Sequence, residues 1–213
     1  MSDVVNPRRY DASRRRDQAR LSRGRILDVA RRRFLDGGFG ATTIASIAGE
    51  ALVSPDTIYK SFGGKPGLVR ALCELALEGD GPTPAERRSD ALQAAERDPA
   101  QLLRGLGTLT AEVAPRIAPL LLLLATAGDS DREMARLRTE LDAARLERMT
   151  LVARRLARKT PLRPDLTLAE AGEIMWTYSS PELYGLLVLT RRWQPERYGE
   201  FVGDALVAAL LPG

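Results

Sequence analysis

Apolar side chains recur three and four residues apart along most of this chain, a spacing that places them on one face of a helix. The first clear apolar face is formed by Ile26, Leu27, Ala30 and Phe34. Gly37 and Gly38 follow it, and glycine commonly ends a helix. No stretch alternates apolar and polar residues as a half-buried strand would. The pattern therefore predicts an all-α fold.

Two short helices joined by a tight turn are predicted next. Thr42 or Thr43 can cap the first of them, because a threonine hydroxyl accepts a hydrogen bond from a free backbone N–H of the first turn. Its inward face would be Ile44, Ile47, Ala48 and Ala51. Ser54 can cap the second, with Pro55 at the first position, where a missing N–H costs nothing. The buried face of this second helix would be Ile58 and Phe62.

The rest of the chain is also predicted to be helical. Pro66 opens a helix whose inward residues would be Leu68, Val69, Leu72, Cys73 and Ala76. Further helices, separated by prolines, are predicted near 85–96, 99–113, 116–127, 131–159, 167–178, 182–192 and 195–210. The turn-rich segment at 79–84 predicts a boundary between a domain at 22–78 and a second domain at 85–213. Residues 1–21, rich in arginine and without an apolar period, predict a flexible basic arm.

Basic residues concentrate in the first third of the chain. Residues 1–70 hold 14 Lys and Arg against 7 Asp and Glu, whereas the remainder holds 18 against 21. This asymmetry indicates that the N-terminal third meets a polyanion, either a nucleic acid or an anionic membrane surface. The arm lacks the Trp, Phe or Leu face of an interfacial helix, so the membrane surface is the weaker alternative.

The chain offers little catalytic chemistry. It has no histidine and a single cysteine, Cys73. One cysteine cannot form an intramolecular disulfide or a cysteine-based metal site. With no Gly-rich phosphate loop and no metal-ligand spacing, we expect no enzyme and no cofactor, although carboxylate or lysine chemistry stays open. The first residues lack a signal-peptide core, and the apolar run 117–125 is too short to span a bilayer. We therefore expect a cytoplasmic protein that is not a membrane protein.

Two short helices in a basic context are what a helix-turn-helix motif needs, because the first braces on the DNA backbone while the second enters the major groove. An ordinary helical hairpin is the alternative. The segment from Arg25 to Leu68 resembles the N-terminal domain of the TetR family of bacterial regulators. The matching residues are Arg25, Ile26, Leu27, Ala30, Phe34, Gly38, Phe39, Thr42, Thr43, Ile47, Ala48, Val53, Ser54, Thr57, Tyr59, Phe62, Lys65 and Leu68.

Two features depart from the family pattern. Leu52 stands in the turn before Val53 and Ser54, where the family usually has glycine. A left-handed backbone there would cost a leucine roughly 1 kcal/mol or more, so we expect an adjusted or mildly strained turn. The second departure is the modest basicity of the recognition helix, in which Lys60 is the basic residue and Asp56 is acidic.

The resemblance implies a set of residues at the DNA. They are Arg25, Thr42, Thr43, Ser54, Pro55, Asp56, Thr57, Tyr59, Lys60 and Lys65. The first turn of the recognition helix would face base edges or nearby phosphates, and Tyr59 resembles the family tyrosine that binds a phosphate. Arg25 and Lys65 would fix the register of the protein on the DNA. The arginines of the arm could follow phosphates or enter a minor groove, and the alternative is a disordered solubilising tail. These arginines are Arg8, Arg9, Arg14, Arg15, Arg16 and Arg20.

The resemblance also implies a larger helical domain that binds a small molecule and forms a homodimer. Candidate ligand-binding residues, for which plain core packing is the alternative, are Leu103, Leu106, Leu121, Leu124, Met149, Met175, Trp176 and Tyr178. Candidate dimer-interface residues, with the same alternative, are Leu183, Leu186, Leu187, Leu206, Ala209 and Leu210. The apolar bias favours an uncharged or amphiphilic organic ligand.

The expected function is that of a repressor which such a ligand releases from a palindromic operator in double-stranded DNA. The alternative is a ligand-binding helical protein with an enzymatic or activator role.

Overall fold

The computed structural model describes residues 7–79 and 81–212, with side chains given from residue 16 onward. Throughout that part the regular structure is helical and no strand occurs, which confirms the all-α prediction. The helices are α1 (Pro7–Ala41), α2 (Ile44–Ala51), α3 (Pro55–Phe62), α4 (Lys65–Glu78), α5 (Ala85–Ala95), α6 (Pro99–Gly128), α7 (Arg132–Ala157), α8 (Leu168–Tyr178), α9 (Pro181–Tyr184) and α10 (Pro195–Leu210). A π-helical segment, Gly185–Thr190, follows α9.

The chain divides into two compact units, Met1–Leu72 and Cys73–Gly213. The division falls inside α4, whereas the sequence predicted it at the turn-rich segment 79–84. Leu72 and Cys73 are both buried, and α4 continues to Glu78, before Gly79, whose φ of 71° favours glycine. The turn-rich segment therefore marks the end of a helix and not the boundary between the compact units.

Helix α1 begins earlier than the sequence predicted. Where the pattern predicts a flexible arm over 1–21, residues 7–21 are helical, and residues 1–6 lie outside the described part of the chain. Arginine, alanine and glutamine have high helix propensities, and Arg20 lies 3.5 Å from Asp17, one turn earlier. At the other end Gly38, with φ 81° and ψ 161°, interrupts the helix where the sequence predicted its end.

The two short helices begin at predicted caps. The Thr43 hydroxyl accepts a hydrogen bond from the Ser46 N–H at 3.0 Å, and the Ser54 hydroxyl accepts one from the Thr57 N–H at 3.2 Å. The predicted inward residues that are buried are Ile44, Ile47, Ala48, Ala51 and Ile58, and Phe62 is half-buried. Between the helices Leu52 adopts a left-handed backbone with φ 55° and ψ 47°, which is the strained turn expected from the sequence.

Helix α6 is continuous where the sequence predicted two helices. The prediction places a break between 99–113 and 116–127, yet Pro115 and Pro119 both lie inside α6. An internal proline removes a backbone hydrogen bond at a cost of about 3 kcal/mol. Burial along the whole helix, from Leu102 to Ala127, offsets that cost, and the sequence pattern alone does not reveal it.

The continuity of α6 also changes the estimate of its apolar length. By length and composition alone the helix could cross a membrane, so the argument that the run 117–125 is too short does not hold for the whole element. Its buried residues pack in the core of the second unit, and others line the cavity described below. Packing in the core and lining of the cavity explain why α6 is so apolar.

Helices α6 and α10 pack with their backbones nearly touching. A Cβ atom on Gly107 would lie 2.4 Å from the Gly199 carbonyl oxygen and 2.6 Å from the Gly203 nitrogen, so no larger side chain fits. The fully buried side chains around this contact are Leu102, Leu103, Leu156, Tyr198, Val202 and Leu210. The core of the second unit is therefore built around α6 and α10.

The region predicted as a helix over 182–192 is divided. Helix α9 is followed by the π-helical segment, in which the Arg191 N–H donates to the Leu186 carbonyl at 3.0 Å. Arg192 then adopts a left-handed backbone with φ 60°. This residue follows the C-cap of the segment, Arg191, and α10 begins at Pro195.

Candidate nucleic-acid interface and internal cavity

One side of helix α3 is buried in the first unit, and the other side is exposed to solvent. On its inner side the side chain of Ile58 is fully buried. At the C-terminal end of α3, the Arg23 guanidinium lies 4.5 Å from the centre of the Phe62 ring. The exposed residues of the opposite face are Ser54, Pro55, Asp56, Tyr59 and Lys60. We call these five residues the α3 face. A short helix fixed at both ends with a polar outer side is what insertion into a DNA groove requires.

The first turn of α3 is fixed by its own side chains. The Ser54 and Thr57 hydroxyl oxygens lie 2.9 Å apart, and Ser54 also caps the helix. Thr57 is half-buried, whereas Asp56 is exposed close to the positive end of the helix dipole. Thr57 therefore supports the first turn, and its hydroxyl is already engaged.

Two residues that were predicted to contact DNA form hydrogen bonds within the protein. Thr42 is 4% exposed, and its hydroxyl donates to the carbonyls of Gly38 at 2.9 Å and Arg33 at 3.0 Å, so the prediction that it contacts DNA is wrong. The Lys65 ammonium donates to the Phe39 carbonyl at 2.8 Å and lies 4.1 Å from the centre of the Phe39 ring. Lys65 therefore ties the start of α4 to the end of α1.

The other predicted contacts lie at the surface. Tyr59 is 55% exposed, and Thr43 is exposed at the N-terminus of α2. Arg25 is exposed on α1, with its guanidinium 3.4 Å from the Ser22 hydroxyl. These three side chains are thus placed where a phosphate could reach them.

The arm arginines are described only in part. Arg16 and Arg20 are exposed on α1. The side chains of the other four lie outside the described residues: Arg8, Arg9, Arg14 and Arg15. Whether the arm contacts DNA stays a prediction.

A carboxylate that the sequence did not single out holds α2 against α1. Glu50 pairs with Arg32 and also with Arg33, whose Nε lies 2.6 Å from Glu50 Oε2. Hydrogen bonds from Arg32 and Arg33 lower the pKa of Glu50 below its ordinary value. Because these partners are far apart in the chain, helical periodicity could not reveal them.

The second unit contains a partly open cavity of about 260 Å³. Its wall is formed by the end of α4 and by α5, α6, α7, α8 and α10. Four of the predicted ligand-binding residues line it: Leu106, Leu121, Met149 and Met175. Most of the remaining wall is apolar, which is typical of sites for organic molecules.

The other four predicted ligand-binding residues do not line the cavity. Leu103 and Leu124 are fully buried in the core elsewhere. Tyr178 packs edge-on against Phe201, with ring centres 6.5 Å apart, and the Trp176 ring is covered by the Arg145 guanidinium at 4.5 Å. The sequence correctly placed apolar residues inside the unit but could not separate the cavity wall from the core.

Arg145 is the main cavity residue that the sequence missed. It lines the wall from α7, and its side chain is 16% exposed. The guanidinium donates to the Trp176 carbonyl at 2.6 Å and lies 3.4 Å from the Ser179 hydroxyl. The alternating charges of α7 are typical of a solvated helix face. The sequence pattern therefore did not distinguish Arg145, which faces the cavity, from the exposed arginines of the same helix.

The predicted dimer-interface residues differ in their exposure. Leu206 lines the cavity and Leu210 is fully buried, so both belong to the core of the single chain, and their place at a dimer interface stays a prediction. Leu183, Leu187 and Ala209 are half-buried and pack on the core, whereas Leu186 is 62% exposed. Other exposed apolar side chains near the C-terminal end are Leu168, Leu189 and Phe201.

Among the described residues, no group of three or more His, Cys, Asp or Glu side chains could hold a metal ion. Cys73, the single cysteine of the sequence, is buried.

Comparisons with known proteins give a family for the first unit. Residues 26–72 match the model of the bacterial regulatory proteins of the tetR family. No match was found among curated proteins.

Solved structures resemble the chain over most of its length. A protein from Syntrophomonas wolfei assigned to the TetR family is 18% identical, with a TM-score of 0.71 over 88% of this chain and 94% of that one. SmeT in complex with triclosan is 20% identical, with a TM-score of 0.69 over 90% and 92%. NalD, the secondary repressor of the MexAB-OprM multidrug efflux pump in Pseudomonas aeruginosa, is 20% identical, with a TM-score of 0.70 over 91% and 98%.

The helix-turn-helix at residues 26–72 and its match to bacterial regulatory proteins support a DNA-binding transcriptional regulator and not an enzyme. More specifically, residues 26–72 are a TetR-family N-terminal domain, and the chain has the fold of the TetR-family regulators. The resemblance stated from the sequence is thereby confirmed.

Proposed function

We propose that the protein is a homodimeric transcriptional repressor that binds a palindromic operator and is released from it by a small organic effector. The α3 face supports this proposal most directly, because a buried Ile58 holds the helix while the opposite side chains stay exposed. Each subunit would insert α3 into the major groove of one half-site, with half-sites about 34 Å apart. NalD, a repressor of similar fold, favours repression over activation.

We assign two kinds of DNA contact. Asp56 and Lys60 would face base edges from the α3 face and set sequence preference. Tyr59, Thr43 and Arg25 would bind phosphates, which position the protein without reading sequence. Ser54, Pro55 and Thr57 would form the rigid first turn that brings the α3 face close to the bases.

Substitutions on α3 separate the two kinds of contact. Lys60→Ala should change which duplex variants are preferred, because base contacts specify sequence. Tyr59→Phe should weaken all duplexes by a similar factor, roughly 3- to 10-fold, because the loss of one phosphate hydrogen bond costs about 1 kcal/mol. Fluorescence anisotropy of the full chain on a panel of single-base operator variants measures both effects.

Arg87→Ala, an exposed arginine on α5 in the second unit, is the matched control for loss of positive charge and should leave both affinity and preference unchanged. If Lys60→Ala and Tyr59→Phe scale all affinities equally, the assignment of Lys60 to base recognition is wrong. If neither affects binding, the α3 face is not the interface.

The cavity is the proposed effector site. A partly open, mostly apolar cavity of about 260 Å³ inside a helical unit suits a small organic molecule, and SmeT, of similar fold, forms a complex with triclosan. The effector would bind without a metal or cofactor. We place this system in the cytoplasm, where a bacterial regulator meets its DNA.

The C-terminal helices are the proposed dimer interface. Exposed apolar side chains gather there on α8, the π-helical segment and α10, and Leu186 is the most exposed of them. Burying such side chains against a second copy is favourable by about 25 cal/mol per Å² of apolar surface. Leu183, Leu187 and Ala209, which are half-buried, would contribute at the edge.

A further inference from the structure

Arg145 brings a positive charge to the wall of an otherwise apolar cavity, and its hydrogen-bonding capacity is only partly used. One terminal nitrogen donates to the Trp176 carbonyl at 2.6 Å. The other terminal nitrogen lies 3.5 Å from the nearest oxygen of Asp142, a long contact. The Nε atom is buried and has no hydrogen-bond partner. A buried donor without a partner is costly, so the site favours an additional acceptor.

Arg148 lies one turn further along α7 and lines the same cavity, which provides an internal comparison. Its guanidinium donates to Asp90 Oδ1 at 2.8 Å and to the Glu86 carbonyl at 3.1 Å. Asp90 is shared with Arg155, but its contact with Arg148 is shorter than the 3.5 Å contact between Asp142 and Arg145. Asp142, the carboxylate nearest Arg145, also lies 3.8 Å from Arg138 and is thus shared. Burial lowers the pKa of Arg145, the direction expected for a cation with too little compensating charge.

The remaining surroundings of the cavity fit a head-and-tail ligand. Glu86, the other ionisable side chain described at the wall besides these two arginines and Cys73, is exposed. The Ser179 and Ser180 hydroxyls line the wall and Ser179 lies beside Arg145, whereas α6 contributes an apolar surface through residues such as Leu109 and Val113. The guanidinium of Arg145 and the Ser179 hydroxyl thus lie together, and most of the α6 lining is apolar; the hydroxyl of Thr110 on α6 donates to the Leu106 carbonyl.

We propose that the cavity binds an amphiphilic organic monoanion, a carboxylate on an unbranched or aromatic apolar body, with the carboxylate on Arg145 and the body along α6. A guanidinium binds a carboxylate through charge-assisted hydrogen bonds, which are the strong ones in a water-poor site. The inference deepens the proposed function, since the anion would be the effector. It also narrows the sequence expectation of an uncharged or amphiphilic ligand to an anionic one.

The volume limits the size of the body. A cavity of about 150 Å³ holds a benzene molecule, so a cavity of about 260 Å³ suits a body of roughly eight to ten heavy atoms. Suitable probes are therefore hexanoate, octanoate and decanoate, each compared with the primary alcohol and the primary alkylammonium ion of the same length. These pairs keep the apolar body constant and change only the charge of the head group.

Binding of each probe to the full-length chain is measured by isothermal titration calorimetry and by tryptophan fluorescence, because the Trp176 ring lies 4.5 Å from the Arg145 guanidinium. At least one alkanoate should bind roughly 10- to 100-fold more tightly than its alcohol, as expected for a hydrogen-bonded charge. Arg145→Met should abolish that preference and leave alcohol binding within about threefold. Arg145→Lys should retain part of it, because the charge stays but the paired donors are lost.

Arg136→Met is the matched control, since Arg136 is exposed on the same helix, and it should retain the wild-type preference. Equal binding of acids and alcohols, an unchanged preference in both Arg145 variants, or no binding of any alkanoate below the millimolar range would overturn the proposal. Arg145→Lys decides the question if Arg145→Met does not fold. DNA binding by the ligand-free chain is measured separately, so a chain that binds octanoate but prefers no duplex would refute the regulatory role and leave the anion site intact.

Discussion

Leu52 occupies the turn between α2 and α3 in a conformation that leucine rarely adopts, with φ 55° and ψ 47°. Leu52 is 80% exposed, so burial of its side chain contributes little stabilisation. The left-handed backbone costs roughly 1–2 kcal/mol, and this cost is not offset. The conformation is imposed by the turn, in which the Val53 N–H donates to the Ala48 carbonyl at 3.0 Å. Strain is therefore stored at the residue that sets the direction of α3.

Leu52→Gly should stabilise the first unit. Glycine adopts this backbone without strain but loses more conformational entropy on folding, so the net gain should be about 0.5–1 kcal/mol. Urea unfolding of the full chain, followed by circular dichroism, measures the change. Leu21→Gly, at another exposed leucine of the first unit but within the regular backbone of α1, should instead destabilise the protein. A loss of stability in Leu52→Gly would contradict the strained turn.

Only some of the site residues could be identified from the sequence. The exposed positions Tyr59 and Lys60 follow from the helical period, because Ile58 occupies the buried side of the same helix. Thr42 and Thr43 are adjacent and chemically identical, yet Thr42 is buried and Thr43 is exposed. The difference depends on the break in α1 at Gly38, because the Thr42 hydroxyl donates to the Gly38 carbonyl. Side chains with distant partners, such as Arg145, gave no local signal.

Helices α1 and α2 are joined by an ion-pair network centred on Glu50. Both Arg32 and Arg33 donate to this carboxylate, and the side chain of Glu50 is 35% exposed. Because the pKa of Glu50 is lowered in the folded state, the pairs stabilise the fold above the ordinary value of 4.5. That stabilisation is lost as the pH falls through the lowered folded-state pKa.

Glu50→Gln should therefore reduce the free energy of unfolding at pH 7, and the difference from the wild type should shrink as the pH falls below about 4.5. Chemical unfolding at a series of pH values between 7 and 3 measures this difference. Asp36→Asn, at an exposed carboxylate of α1, is the control for simple removal of a negative charge. A difference that stays constant over the whole pH range would show that the ion pairs do not stabilise the folded state.

Short helices with clear caps could be predicted from the sequence, whereas long helices could not be delimited. Caps such as Ser54 with Pro55 are local signals and gave the start of α3 correctly. The continuity of α6 through Pro115 and Pro119 depends on tertiary burial along its length, which outweighs the local cost of proline. In the same way, helix propensity extended α1 to Pro7 although no apolar period marks that stretch.

The molecule divides its proposed functions between two compact units. The first unit carries the net positive charge and the α3 face, whereas the second unit is net negative and contains the cavity with Arg145. Positive charge on a DNA-binding unit speeds association and makes affinity strongly dependent on salt. Sequence preference must come from the α3 face, because phosphate contacts alone do not distinguish sequences.

The most direct test of the account is the affinity of the full-length chain for a duplex selected from its own genome, compared with a scrambled duplex of equal length and composition. At about 150 mM salt we expect a dissociation constant on the order of 1–50 nM for the selected duplex and a preference of roughly 1000-fold or more. The selected sequence should contain a partial palindrome. Equal affinity for the selected and scrambled duplexes would contradict the central claim that α3 reads DNA sequence.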